Sequence, residues 1–135
     1  MSYFDQEIMA RTAIGEARGE GQDGMQAVMW TGVNRFTTKK WFSGKTIAGT
    51  FLKRMQYDCW TPEDVNYAYI VNITEDIGLF RNALVWAGQC LAGMIPDPTN
   101  NCTHYYADNI APPDWAATGE FVIQIGRQRF YRGVA

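Results

Sequence analysis

Two glutamates lie at a glycine-rich break between two apolar stretches, in the segment AIGEARGEGQDGMQAV at 13–28. Glu16 and Glu20 are four residues apart, with Arg18 between them. Glu16 is predicted near the C-terminal end of a helix, where the macrodipole disfavours negative charge by roughly 0.3–1 kcal/mol. Apolar neighbours would also remove water from this carboxyl group, and both effects raise its pKa. Because a general acid must keep its proton near neutral pH, Glu16 is a catalytic candidate.

Helices are expected on both sides of this break. Ser2 predicts an N-cap, and the helix that follows is buried on one side and should end within 15–19. A capping-box pattern starting at Asp23 predicts the second helix, which is buried on more than one side. The segment 37–58 carries one short helix at most.

Further start and stop signals follow in the second half of the chain. Thr61, with Pro62 after it, predicts the N-cap of another helix. Apolar residues that step by three and four predict a longer helix at 75–91, closed by Gly93.

The C-terminal third changes to turn and strand patterns. The aromatic run HYYA lies among turn-forming residues, and EFVIQIGRQRFYR alternates like two strands that turn near Gly126. We therefore expect one α+β domain over 1–135, mainly helical, with a small C-terminal β element.

Composition narrows the class of protein. The net charge of -2 argues against a nucleic-acid-binding protein. Cys59, Cys90 and Cys102 have no CxxC spacing, which indicates reduced thiols rather than a disulfide framework or a zinc site. His104 is the only histidine, so no multi-histidine metal site is expected. No apolar run is long enough to span a membrane.

Four motifs occur in the same order as in a known family. They are ARTAIGEARGEGQDGMQAVMWTGVNR, QYDCW, DPTNNCTHYYADNIAPPDW and IGRQRFYR, spread from about Ala10 to Arg132. Together they resemble the SleB-type cell-wall hydrolases, which are spore-cortex-lytic enzymes with phage and bacterial relatives. The resemblance implies a lysozyme- and lytic-transglycosylase-like domain that cleaves peptidoglycan between N-acetylmuramic acid and N-acetylglucosamine. It also implies that Glu16 is the catalytic glutamate.

The chemistry of such an enzyme needs one or two carboxylates. Many glycosidases use two, whereas a lytic transglycosylase needs only Glu16, because the muramic C6 hydroxyl is the nucleophile. We interpret Glu20 as a structural or loop-capping carboxylate paired with Arg18, with direct catalytic support from Glu20 and Arg18 as the alternative. No cofactor is expected. The other acids that could contribute are Asp58, Asp97, Asp108 and Asp114.

The resemblance also marks substrate-binding candidates, which are Gln56, Trp60, Tyr105, Tyr106 and Trp115. Sugar rings stack on aromatic faces, although core packing is an equal alternative for each aromatic residue. Strand alternation along HYYA should send one tyrosine inward and the other outward, and we expect Tyr106 in the groove. Gln128 stands where the family usually has a histidine, and a glutamine cannot change charge near neutral pH.

Two other functions stay open. Cys59 lies just before the predicted N-cap, where a thiol has a lowered pKa, and with His104 it could form a peptidase that cuts peptide stems. A non-catalytic wall-binding or virion module is the second alternative. In each case the expected partner is peptidoglycan, and the expected state is a monomer. The N-terminus does not look like a signal peptide, so we expect a phage endolysin released through holin lesions, or a hydrolase carried in a virion.

Overall fold

The computed structural model describes residues 2–135, in which five α-helices precede a three-stranded sheet. The helices are α1 (Tyr3–Ala17), α2 (Gly21–Thr38), α3 (Ile47–Leu52), α4 (Tyr67–Asn72) and α5 (Gly78–Leu91). The strands are β1 (His104–Ala107), β2 (Glu120–Ile125) and β3 (Gln128–Arg132). Short 3-10 turns lie at Arg18–Glu20, Asp58–Trp60 and Asp114–Ala117. The predicted α+β class, mainly helical with a small C-terminal sheet, is confirmed.

Helix α1 is the centre of the helical layer. It starts at the predicted N-cap, where Ser2 and Asp5 form a capping box, and it ends within the predicted range. Because α2, α3, α4 and α5 all pack against it, α1 is buried on more than the one side expected from its sequence. Asp5 also accepts a hydrogen bond of 2.8 Å from the backbone N–H of Ala48, which ties α3 to α1.

The start of α2 differs from the prediction. The helix begins at Gly21, and its N-cap residue, Glu20, makes no side-chain capping bond, so the predicted capping box at Asp23 is wrong. Gly21 has a φ of 75° and turns the chain directly after the 3-10 turn, which lets the new helix start there. Burial of α2 on more than one side is confirmed by its long run of buried residues.

The predicted helix start at Thr61 is also wrong. Turns occupy 61–66, and α4 begins at Tyr67. The side chain of Asp64 accepts a 2.9 Å hydrogen bond from the N–H of Asn66, a local turn that competes with helix formation.

Helix α5 ends as its sequence predicts. Gly93 has a φ of 71°, and its N–H donates to the carbonyl of Cys90 at 3.0 Å. The N–H of Met94 donates to the carbonyl of Gln89 at 2.8 Å, which completes a Schellman motif.

The sheet is antiparallel with the order β1-β3-β2, so β3 lies in the middle. The predicted turn at Gly126 is confirmed, with a φ of 58°. The predicted alternation along β1 is confirmed as well. Tyr105 packs on Phe130 and on the helical core, whereas Tyr106 packs on Tyr131 at the opposite face.

Candidate active site

Glu16 lies in the last turn of α1, and two hydrogen bonds from distant parts of the chain hold its carboxyl group. The hydroxyl of Tyr105 on β1 donates to Oε1 at 2.6 Å. The backbone N–H of Cys59, in the 3-10 turn Asp58–Trp60, donates to Oε2 at 3.0 Å. The carboxyl group is therefore fixed from two elements besides its own helix.

A glycine allows the 3-10 turn to come this close to α1. A Cβ atom added to Gly15 would lie 2.6 Å from Cβ and 2.9 Å from Sγ of Cys59. Only a residue without a side chain leaves room for Cys59, and so for its hydrogen bond to Glu16.

The surroundings of Glu16 raise the pKa of its carboxyl group. Burial is the largest cause, and the negative charge of Asp58 adds to it. The hydrogen bonds from Tyr105 and Cys59 act in the opposite direction, because they favour the carboxylate. The net rise agrees with the sequence argument for a carboxyl group that keeps its proton and can act as an acid.

Two cavities meet at Glu16. The first has a volume of about 280 Å³, and its wall consists of Glu16, Arg35, Gln56, Asp58, Tyr105, Tyr106, Ala107, Ile110 and Gln128. The second has a volume of about 300 Å³ and lies beside the glycine-rich break, between residues 15–19 and Asn66. Glu16 therefore borders open space on two sides.

The first cavity brings together three of the predicted substrate-binding residues, Gln56, Tyr105 and Tyr106. Tyr105, rather than the expected Tyr106, makes the direct contact with Glu16. Tyr106 lies on the outer face of the sheet and borders the cavity as well.

Arg35 lines the first cavity and was not among the residues predicted from the sequence. It is 4% exposed, and its guanidinium lies 4.6 Å from the ring centre of Tyr57. Its Nε donates to the carbonyl of Thr103 at 2.6 Å, and its Nη1 donates to Oε1 of Gln56 at 3.0 Å. Its position in the Asn-Arg pair at the end of the first motif is the sequence feature that could have indicated a place in the site.

The side chain of Gln128 contacts the backbone of Glu16. Its Nε2 donates a long hydrogen bond of 3.5 Å to the carbonyl oxygen of Glu16. That oxygen belongs to the last turn of α1, where carbonyl groups lack helical partners. The side-chain oxygen of Gln128 is buried and has no partner within residues 2–135.

Two predicted substrate-binding residues lie away from both cavities at Glu16. Trp60 donates from Nε1 to Oγ1 of Thr12 at 2.8 Å and borders a different cavity. Trp115 packs against His104 and Tyr131, with ring centres 5.1 Å and 5.3 Å away. A role of either tryptophan in substrate binding stays a prediction.

The predicted pairing of Arg18 with Glu20 is wrong. Arg18 donates to the side chain of Asn66 at 2.7 Å and to the carbonyl of Ile14 at 3.2 Å. Its guanidinium also lies over the ring of Tyr69, which draws it away from Glu20. Glu20 contacts Gly126 in the turn between β2 and β3 and borders neither cavity. Asp58 is the acid that shares the first cavity with Glu16.

Cys59 and His104 do not have the properties of a peptidase pair. Burial and the neighbouring Glu16 raise the pKa of the Cys59 thiol, contrary to the lowered pKa expected at a helix start. Burial lowers the pKa of His104 to about 3, and its Nδ1 is hydrogen-bonded to the hydroxyl of Thr103 at 2.8 Å. The thiol of Cys59 instead faces the carbonyl of Thr12.

Within residues 2–135, no group of three or more His, Cys, Asp or Glu side chains is arranged to hold a metal ion. No helix in the same range is long and apolar enough to cross a membrane.

Comparison with known proteins decides the family. A family profile described as Cell Wall Hydrolase matches residues 19–131. This chain belongs to the cell wall hydrolase family. It is therefore an enzyme that degrades peptidoglycan. Glu16 lies three residues before the matched segment, so its assignment depends on the geometry described above.

Solved structures show the same fold. The catalytic domain of the germination-specific lytic transglycosylase SleB from Bacillus anthracis is 25% identical, with a TM-score of 0.73 over 98% of this chain and 97% of that one. The catalytic domain of SleB from Bacillus cereus is 23% identical, with a TM-score of 0.73 over 98% of this chain and 92% of that one. Comparison with curated protein sequences gives no match. The predicted lysozyme-like fold and SleB-type family are confirmed.

Proposed function

We propose that this enzyme cleaves the glycan bond between N-acetylmuramic acid and N-acetylglucosamine as a lytic transglycosylase, with Glu16 as its general acid and base. The observation that carries the proposal is the state of the Glu16 carboxyl group. It has a raised pKa, lies between two cavities, and accepts hydrogen bonds from Tyr105 and Cys59. The similarity to the Bacillus anthracis lytic transglycosylase supports the same reaction class.

The Glu16 carboxyl group acts twice in the reaction, first as an acid and then as a base. Glu16 first donates it to the glycosidic oxygen, the bond from that oxygen to muramic C1 breaks, and positive charge develops at C1. The Glu16 carboxylate then takes the proton from the muramic C6 hydroxyl as the oxygen of that hydroxyl bonds to C1. The products are a 1,6-anhydromuramic end and a free C4 hydroxyl on the leaving sugar.

The two hydrogen bonds to Glu16 stabilise its carboxylate between the two proton transfers. After the first proton transfer the carboxyl group is an anion in a buried site, which is unfavourable without donors. The Tyr105 hydroxyl and the Cys59 N–H are already in place to stabilise that anion.

Hydrolysis is a second candidate because Asp58 shares the cavity with Glu16. The Asp58 side chain could orient a water molecule for attack at C1, in which case the product would carry a reducing muramic end.

Digestion of purified sacculi, with mass spectrometry of the soluble fragments, tests the proposal. We expect anhydromuramic ends, produced by the wild type and by Asp58→Asn alike. Reducing ends that disappear in Asp58→Asn would support hydrolysis instead. Release of free peptide stems would contradict both glycosidase schemes.

Thiol alkylation separates the glycosidase from the peptidase alternative. All three cysteines are buried, and burial raises the pKa of each thiol. We therefore expect iodoacetamide to leave both the mass and the activity of the folded protein unchanged. Inactivation that follows modification of Cys59 would restore the peptidase hypothesis.

For the biological setting, we propose a phage endolysin or a virion-borne lysin. Coexpression with a holin tests the endolysin route. We expect host lysis only when the holin is present, and lysis without it would contradict that route.

A further inference from the structure

We propose that Gln56 and Gln128 bind the 2-acetamido group of the muramic residue at Glu16, with Gln56 as the donor and Gln128 as the acceptor. This inference rests on the function proposed above. Both glutamines border the first cavity, and they come from different elements: Gln56 precedes the 3-10 turn at 58–60, and Gln128 begins β3.

The orientation of the Gln56 amide follows from its neighbour. Arg35, a buried cation that can only donate hydrogen bonds, donates to Oε1 of Gln56 at 3.0 Å. The reversed amide would place an NH2 group against the guanidinium. The Nε2 of Gln56 therefore points away from Arg35, and since Gln56 is only half-buried in the cavity wall, this donor is open to a ligand.

The orientation of the Gln128 amide follows in the same way, with the opposite polarity. Its Nε2 faces the carbonyl oxygen of Glu16, because the reversed amide would bring two acceptors together. Its Oε1 thus has no hydrogen-bond partner within residues 2–135, and the residue is only 8% exposed. A buried acceptor without a donor is unfavourable, and such a group often marks a place where a ligand completes the hydrogen bonding. Because Gln128 also lines the first cavity, the proposal requires a small rotation of its side chain that brings Oε1 to the cavity surface.

The cavity thus has one oriented amide donor in its wall and, after this rotation of Gln128, one amide acceptor beside the catalytic candidate. A secondary amide needs this pair, because its carbonyl accepts while its N–H donates. In peptidoglycan, secondary amides occur in the peptide stems and in the acetamido substituent that each of the two sugars carries at C2. The muramic acetamido group is next to C1, the carbon whose bond Glu16 breaks, so we assign it to this site.

Partially N-deacetylated sacculi test the assignment, with the same sacculi chemically re-acetylated as the control. Mass spectrometry of the fragments shows, for each cut, whether the flanking muramic and glucosamine residues keep their acetyl groups. We expect wild-type cuts to be enriched about tenfold after acetylated muramic residues, with no dependence on the glucosamine. Enrichment for acetylated glucosamine, or no enrichment at all, would overturn the assignment.

Substitutions assign the preference to the two glutamines. Gln56→Met and Gln128→Met keep the side-chain length but remove the donor and the acceptor, and we expect each to abolish most of the enrichment. Gln22→Met, an exposed change on α2, is the matched control and should keep it. If Gln128→Met does not fold, the result for Gln56→Met and the wild-type preference still test the assignment. Folded variants with wild-type enrichment would overturn the inference, while the glycan cuts themselves would still support the proposed function. Absence of any glycan cut in re-acetylated sacculi would contradict both the inference and the proposed function.

Discussion

At the scale of residues, catalysis depends on how Glu16 keeps a proton and then loses it. Burial raises its pKa and so favours the acid, whereas the hydroxyl of Tyr105 and the N–H of Cys59 favour the anion. Opposing influences of this kind suit a group that must donate a proton and then recover it. A carboxyl group with burial alone would hold its proton too firmly.

Tyr105→Phe tests this balance. Loss of the hydroxyl removes a hydrogen bond that lowers the pKa of Glu16, so the pKa rises further and the alkaline limb of the pH–activity profile moves to higher pH. The maximal rate should fall roughly 10- to 100-fold, because the carboxylate loses a charge-assisted hydrogen bond of about 1.5–3 kcal/mol. The measurement is glycan cleavage against pH, with the exposed Tyr3→Phe as the control. A shift of the limb to lower pH would contradict the account.

At the scale of elements, the site exists because β1, β3 and the 3-10 turn at 58–60 converge on the end of α1. The helix end at Glu16 could be predicted from the sequence, since caps, glycines and apolar spacing are local signals. The positions of Arg35 and Asp58 could not, because they depend on how α2 and the 3-10 turn at 58–60 pack against α1. The same limit applies to Trp60 and Trp115, whose motif positions do not show that both lie outside the two cavities at Glu16.

Gly15→Ala tests the convergence of α1 and the 3-10 turn. The new methyl group would overlap Cys59, so we expect a loss of about 1–3 kcal/mol in the free energy of unfolding, as for other overpacked cores. Activity should fall as well, because Cys59 moves away from Glu16. Urea unfolding and glycan cleavage measure the two effects. Gly19→Ala is the control, since a Cβ there meets no atom within 4 Å. Equal effects of the two substitutions would contradict the close-packing argument.

At the scale of the whole molecule, the sheet closes the site from one side while its outer face carries a separate aromatic cluster. The cluster includes Tyr106, Trp115 and Tyr131, and His104 lies beside it between Phe42 and Trp115. The strands and their turn could be predicted from alternation and Gly126. Which tyrosine of β1 would face α1 could not, because alternation alone leaves two choices.

His104→Gln tests the link between this face and stability. The folded protein holds the pKa of His104 at about 3, below its ordinary value of 6.5, so the folded state binds fewer protons than the unfolded state between these values. The resulting stability is present above about pH 6.5 and is lost as the pH falls toward 3. Urea unfolding at several pH values should show a smaller loss on acidification for His104→Gln. Because the chain has one histidine, equal pH slopes would contradict the assignment.

The most direct test of the central claim compares Glu16→Gln with Glu20→Gln in the digestion of purified sacculi. Glutamine at position 16 can still accept from the N–H of Cys59 and donate to the hydroxyl of Tyr105, so the variant should fold, which circular dichroism can check. We predict that Glu16→Gln lowers glycan cleavage about 10²–10⁴-fold, while Glu20→Gln, which changes a carboxylate outside both cavities, stays near the wild-type rate. A folded Glu16→Gln protein that still releases glycan fragments at the wild-type rate would contradict the account.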